Sequence, residues 1–164
     1  MAPKLTMLVV DDDAAIRLSL EAALEAAGHR VTAVGDIPEA IDAVTRNAFD
    51  VVVADIHLPH GTGIDLFRAV RRESPETDVI LITGHGAISE AVAALKDGAR
   101  DYLTKPFAIE ELVVRMERIA EQRAIKQELV AARSRLQAAT QDRGLISRAP
   151  TMVCINERIT TMAE

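Results

Sequence analysis

Short apolar runs alternate with amphipathic stretches along the first 120 residues. The runs at 7–10, 30–34, 51–54, 79–83 and 101–104 are each of strand length, and the third is all valine and alanine without polar alternation. That uniformity predicts a strand covered on both faces. Between the runs, apolar residues return at helical spacing: Ile16, Leu20, Ala23, Leu24 and Ala27; Ile37, Ala40, Ile41 and Val44; Leu66, Phe67 and Val70; Ile88, Val92 and Leu95. Gly28 and Gly98 stand where helix C-termini are expected. Strand and helix in strict alternation predict an α/β fold, a parallel five-stranded sheet covered by helices.

The fifth helix is expected to overrun this domain. No Gly or Pro occurs from Glu110 to about Gln141, enough for a helix of roughly 30 residues at about 1.5 Å each. Ile109, Leu112, Met116 and Ile119 share a face suited to the sheet, whereas Ile125, Leu129, Ala132, Leu136 and Ala139 step by four, three, four and three. That spacing is a heptad seam and predicts a homodimer through paired helices. A solvated linker with an incidental apolar stripe is the alternative, since lone helices are marginally stable. Asp142, Arg143 and Gly144 are expected to end the helix. A new period then begins with Pro150, Met152, Ile155, Ile159 and Met162. The expected organisation is a domain over 1–120, a helical coiled-coil linker over 121–143, and at 144–164 the incomplete opening of a second domain.

Composition narrows the class. With 49% hydrophobic and 27% charged residues, the 164-residue chain reads as globular. No apolar run approaches the roughly 18 residues of a membrane span, and no signal-peptide pattern precedes Asp11, so no membrane partner is expected. Cys154 is the sole cysteine, which excludes an internal disulfide and fits a reducing cytoplasm. The net charge of −6 and only four aromatics, Phe49, Phe67, Tyr102 and Phe107, argue against a nucleic-acid surface on this chain.

The chemistry lies at the strand ends, where an open parallel sheet binds its ligands. The first strand delivers Asp11, Asp12 and Asp13, the third Asp55, the fourth Thr83, and the fifth Lys105 followed by Pro106. Asp13, before an apolar helix, suits an N-cap. Carboxylates a few ångströms apart repel one another unless a cation sits among them, and hard oxygen donors in small number suit Mg²⁺. Such an ion would attract a phosphoryl group, an aspartate can act as its nucleophile, and Lys and Thr can bind its oxygens. A dinucleotide-binding enzyme would need a glycine-rich turn after the first strand, where this chain carries acids. A haloacid-dehalogenase-type phosphatase would need Asp at position 57, which is His.

Val10-Asp11-Asp12, Asp55-Ile-His-Leu-Pro59 with Gly63, Thr83-Gly84, and Tyr102-Leu-Thr-Lys105-Pro106-Phe107 together resemble the receiver domain of two-component response regulators. The resemblance implies a flavodoxin-like, doubly wound sheet. It also implies a phosphorylation switch, not an enzyme acting on outside substrates, whose partner is a sensor histidine kinase. By the same resemblance Asp55 is the phospho-acceptor. Asp11, Asp12, Asp55 and the backbone carbonyl of His57 hold Mg²⁺, Thr83 and Tyr102 form the switch pair, and Lys105, before a cis Pro106, meets the phosphoryl group. Thr83-Gly-His-Gly-Ala and Leu145-Ile-Ser-Arg-Ala-Pro-Thr-Met152 are further similar to regulators of the nitrogen-regulation and C4-dicarboxylate-transport type. In these a receiver precedes a sigma-54-interacting AAA+ ATPase that acts on RNA polymerase and DNA. Ser147 departs from the glycine expected there, and no G-x-x-x-x-G-K-[ST] phosphate loop occurs in the chain.

Overall fold

A computed structural model describes residues 3–84 and 86–146 of the chain. The strands are β1 (Thr6–Val10), β2 (Arg30–Val34), β3 (Val51–Asp55), β4 (His57–Leu58), β5 (Gly61–Thr62), β6 (Asp78–Thr83) and β7 (Asp101–Thr104). The helices are α1 (Ala14–Ala26), α2 (Ile37–Arg46), α3 (Gly63–Glu73), α4 (Ile88–Lys96) and α5 (Ile109–Ile146). Five strands form one all-parallel sheet in the order β2-β1-β3-β6-β7. The chain therefore winds outward from β1 to β2, then returns to build the other half from β3. The reversal falls between β1 and β3, the position at which this topology opens a crevice for ligands. β4 and β5 form a small antiparallel ribbon directly after β3.

The pleat sorts side chains to two cores. Leu8, Val10, Val52, Ala54 and Leu81 join residues of α2, α3 and α4 on one face. Met7, Val9, Val51, Val53, Ile80 and Ile82 meet Leu20 and Leu24 of α1 and Leu112, Met116, Ile119 and Ala120 of α5 on the other. Val51 to Ala54 are buried, as their unbroken apolar run predicts, and Asp55 at the end of β3 is buried with them. Helix ends also follow the sequence. Asp13 caps α1 by accepting from Ala15 and Ile16 N–H, and Gly28 and Gly98 take the left-handed conformation just past α1 and α4.

One face that the sequence pattern leaves open is fixed, and one expectation is corrected. The face of α4 against the sheet is Ala87, Ala91 and Ala94, while Ile88 and Val92 are exposed and Leu95 is half-buried; helical spacing marks a stripe, but side-chain size decides which stripe fits a close packing distance. Helix α5 does not stop at Asp142 to Gly144 but continues to Ile146. One interior glycine costs about 1 kcal/mol relative to alanine, which lowers helix stability without ending it. Of the expected second-domain opening at 144–164, residues 147–164, including Ser147, Pro150 and Cys154, lie outside the described residues. The described chain divides after Glu121 into two units; in the second, α5 carries Ile125, Leu129, Ala132 and Leu136, all exposed, together with exposed Val130. Among the described residues no helix is long and apolar enough to cross a membrane.

His29 lies at the opposite end of the sheet from the acidic turn. Its Nδ1 accepts from Leu5 N–H at 3.3 Å, which places the neutral ring's proton on Nε2, a buried atom with no hydrogen-bond partner. Burial lowers the His29 pKa, and the smaller pull of Glu117 opposes it. Stability from this group is therefore complete above pH about 6.5, the unfolded-state value, and falls as pH drops below it, because the unfolded chain takes up the proton first. His29→Gln should lose less stability than the parent between pH 7.5 and 5.5 in urea denaturation. An equal loss would assign the acid sensitivity to other groups.

Candidate functional site

Beyond the last ladder pair, Val10 with Ala54, β1 and β3 each release an acid into the crevice. Asp11 is fully buried and Asp55 is 6% exposed, whereas neighbouring Asp12 is exposed. One carboxylate oxygen from each of Asp11, Asp12 and Asp55 lies within 4.8 Å of the others. From the end of β7, Lys105 reaches across: its Nζ donates to Asp11 Oδ2 at 2.9 Å and to Asp55 Oδ2. The other Asp55 oxygen accepts from His57 N–H at 2.9 Å, and Asp11 Oδ1 accepts from Asp13 N–H at 2.9 Å. Burial alone would lower the Lys105 pKa, but the hydrogen bonds and attraction of Asp55 and Asp11 outweigh it and hold the ammonium above the usual lysine value.

Thr83, at the end of β6, is fully buried, and its hydroxyl donates to the Gly84 carbonyl at 2.9 Å. Tyr102, on β7, is half-buried against the α2–α4 core. The Lys105–Pro106 peptide is cis. Three carboxylates and one ammonium leave two negative charges among hard oxygen donors, the balance a small divalent cation would complete. The arrangement combines an acidic pocket, a buried nucleophile-grade carboxylate and a cation in direct contact with it.

Residues 7–117 match the response regulator receiver domain. The chain belongs to this family. It is 33% identical over 159 residues to the C4-dicarboxylate transport transcriptional regulatory protein DctD of Rhizobium meliloti (strain 1021), covering 97% of this chain and 35% of that protein. It is 41% identical over 111 residues to the probable transcriptional regulatory protein TcrX of Mycobacterium tuberculosis, covering 68% of this chain and 47% of TcrX. The chain thus spans between a third and a half of these curated relatives. Among solved structures, NtrX of Brucella abortus matches with a TM-score of 0.73 at 32% identity, covering 79% of this chain and 30% of that one. A receiver domain protein of Clostridium thermocellum matches with a TM-score of 0.69 at 30% identity, covering 73% and 97%.

In this receiver the structure brings together Asp11, Asp12, Asp55 and Lys105. Three features were not read from the sequence. His57 contributes its backbone N–H to Asp55, a contact that residue type does not reveal. Arg17, on the second turn of α1, donates from Nη1 to the backbone carbonyls of Asp11 at 2.6 Å and Asp12 at 3.0 Å; a cation soon after an acidic turn was the available signal. Gly63 opens α3 against the end of β3, its N–H on the Ile56 carbonyl at 2.9 Å. A Cβ at Gly63 would stand 2.3 Å from the Asp55 carbonyl oxygen. Backbone cannot yield as a flexible side chain does, so Gly63→Ala should displace the end of β3 at Asp55. We expect a loss of about 1–3 kcal/mol in urea denaturation, the usual cost of overpacking, with slower labelling of the site by acetyl phosphate. An unchanged midpoint would show that the turn relaxes freely.

Proposed function

We propose that this receiver is a phosphorylation switch in which Asp55 accepts a phosphoryl group from the phosphohistidine of a cognate sensor histidine kinase. Mg²⁺ is held at Asp11, Asp12, Asp55 and the backbone carbonyl of His57. The observation that carries the reading is Lys105 bridging Asp55 and Asp11 inside a cluster of three mutually close carboxylates. A structural ion pair needs one acid per base; the two surplus acids are what a metal-dependent acceptor requires.

An Asp55 oxygen attacks phosphorus, the phosphorus–nitrogen bond breaks, and its electron pair leaves with the imidazole of the donor. Bound Mg²⁺ would supply charge neutralisation for the incoming phosphoryl oxygens. Lys105, already on Asp55, pairs with a phosphoryl oxygen. Thr83 exchanges the Gly84 carbonyl for another, and Tyr102 turns inward as Thr83 moves. An apolar groove of about 560 Å³ runs beside the acceptor between Ala15, Ile16, Ser19 and Leu20 of α1 and the segment Lys105 to Phe107; it suits a helix of the kinase presenting its histidine.

The output is a changed homodimer, formed through Ile125, Leu129, Ala132 and Leu136. Exposures of 66% for Ile125, 51% for Leu129 and 68% for Leu136 support a face awaiting a partner. In a longer regulator of the DctD type this switch would govern a sigma-54-interacting ATPase acting with RNA polymerase on DNA. Residues 144–164 would open that domain and 121–143 would be the linker. The reading places the protein in the cytoplasm and gives this chain no reaction beyond its own phosphorylation and dephosphorylation.

Mass spectrometry after acetyl phosphate treatment should show one added phosphoryl group, absent from Asp55→Asn and from the parent in excess chelator. Labelling of that variant would move the acceptor elsewhere, and labelling at full rate without metal would overturn the Mg²⁺ site. Replacing both Leu129 and Leu136 with Asp puts charge into an apolar seam. Light scattering should then report a monomer that still takes phosphate at Asp55. A persisting dimer would place the interface on other surfaces.

A further inference from the structure

The ladder that fixes β1 ends at Val10, yet Asp11 and Asp12 must face each other one and two residues beyond it. Their carboxylates repel, and the contact continuing the sheet pattern is a long one, Asp11 N–H to the Val34 carbonyl at 3.3 Å. On this turn Arg17 closes a clamp: one nitrogen, Nη1, donates to the carbonyls of both acids, at 2.6 and 3.0 Å. Hydrogen bonds from an ionised donor are about twice as strong as neutral ones, and here a single group ties two successive peptide units to α1. Space for it is provided on the β2 side. A Cβ on Gly35 would lie 3.3 Å from Nη1 and 3.5 Å from Cζ of Arg17, so the position beside the guanidinium holds a residue with no side chain.

We propose that Arg17 is a positioning residue for the phosphoryl-accepting site, holding the backbone of Asp11 and Asp12 so that both carboxylates stand ready for the divalent cation. The inference rests on the metal-dependent receiver reading above. Mg²⁺ tolerates little departure from octahedral geometry, so a turn left to carboxylate repulsion loses affinity even while the domain stays folded. Outer partners of metal ligands typically govern 10–100-fold in metal affinity. Arg17 sits in that outer layer, touching backbone and not the ion.

The test compares the parent chain with Arg17→Met, which keeps the stem and removes the donors, and with Gly35→Val, which leaves Arg17 in place but crowds its guanidinium. Isothermal titration with Mg²⁺ alone should give roughly 10-fold or weaker binding in both variants. Acetyl phosphate labelling should need correspondingly more Mg²⁺ for half-maximal rate, with the rate at saturating Mg²⁺ within about twofold of the parent. Urea midpoints without metal identify a variant that is unfolded at the titration temperature; Gly35→Val then decides alone if Arg17→Met is lost, and the reverse. Mg²⁺ affinity within twofold of the parent in a folded variant would reduce Arg17 to a structural tether and overturn the proposal. A parent chain that binds no Mg²⁺ would overturn both this inference and the receiver reading, whereas weakened variants beside a binding parent uphold both.

Discussion

Two carboxylates buried at the crevice of a parallel sheet can remain charged only if a cation reaches them, and that requirement governs the geometry around the site. An unpaired buried charge costs several kcal/mol, so Asp11 and Asp55 need Lys105. Lys105 leaves the end of β7, and β6 separates β7 from β3. At about 4.8 Å per strand the backbones of β7 and β3 are roughly 10 Å apart, a gap that only a long side chain crosses. Lysine spans it with its aliphatic stem and delivers a compact ammonium that accepts two acids at once. β6, the strand it must pass, ends in Thr83, whose small buried side chain leaves the path open.

This ion cluster is not explained by stability. Replacing buried ion pairs with apolar residues is often neutral or stabilising, and the surrounding sheet already has two apolar cores. A cluster with more acids than bases is less favourable still, because repulsion among Asp11, Asp12 and Asp55 remains after Lys105 is counted. The fold tolerates this because the apolar residues 7–10 of β1 and 51–54 of β3 anchor the two strands, so the repulsion is confined to the strand ends. Charge imbalance at the topological switch point is therefore what the proposed Mg²⁺ site would resolve.

Much of this was legible in sequence. Uniform burial announced β3, the acids and Lys105 fell at strand ends, and Asp13 and the two helix-terminal glycines marked boundaries by their local chemistry. What was not legible shares a cause. The Arg17 clamp, the His57 N–H on the Asp55 carboxylate and the close approach at Gly63 each have a backbone atom as one partner, and backbone atoms carry no residue identity. The inner face of α4 is not legible in the sequence, because Ala87, Ala91 and Ala94 carry a weaker apolar signal than Ile88 and Val92 beside them. The end of α5 lies beyond the expected break at Asp142 to Gly144 because one glycine among helix-compatible residues lowers helix stability without ending it.

The alanine face of α4 bears on how a phosphoryl group on Asp55, as proposed, would do mechanical work. Helices α3 and α5 are held by leucine, phenylalanine, methionine and isoleucine, whereas α4 rests on β6 and β7 largely through alanines. Each buried methylene contributes about 0.8 kcal/mol, so α4 is anchored by a much smaller apolar term. Its N-cap, Ala87, offers no side-chain hydrogen bond, an omission worth about 1 kcal/mol in a typical helix. The helix that follows Thr83 and Gly84 is thus less firmly attached than α3 or α5. A switch from 1:99 to 99:1 needs about 5.5 kcal/mol of differential stabilisation, an amount within reach of the charge-assisted contacts a phosphoryl group would make to Lys105 and Thr83. Weak attachment keeps the opposing term small enough for those contacts to decide the outcome, so under the proposed phosphorylation of Asp55 the alanine face is where the fold would yield.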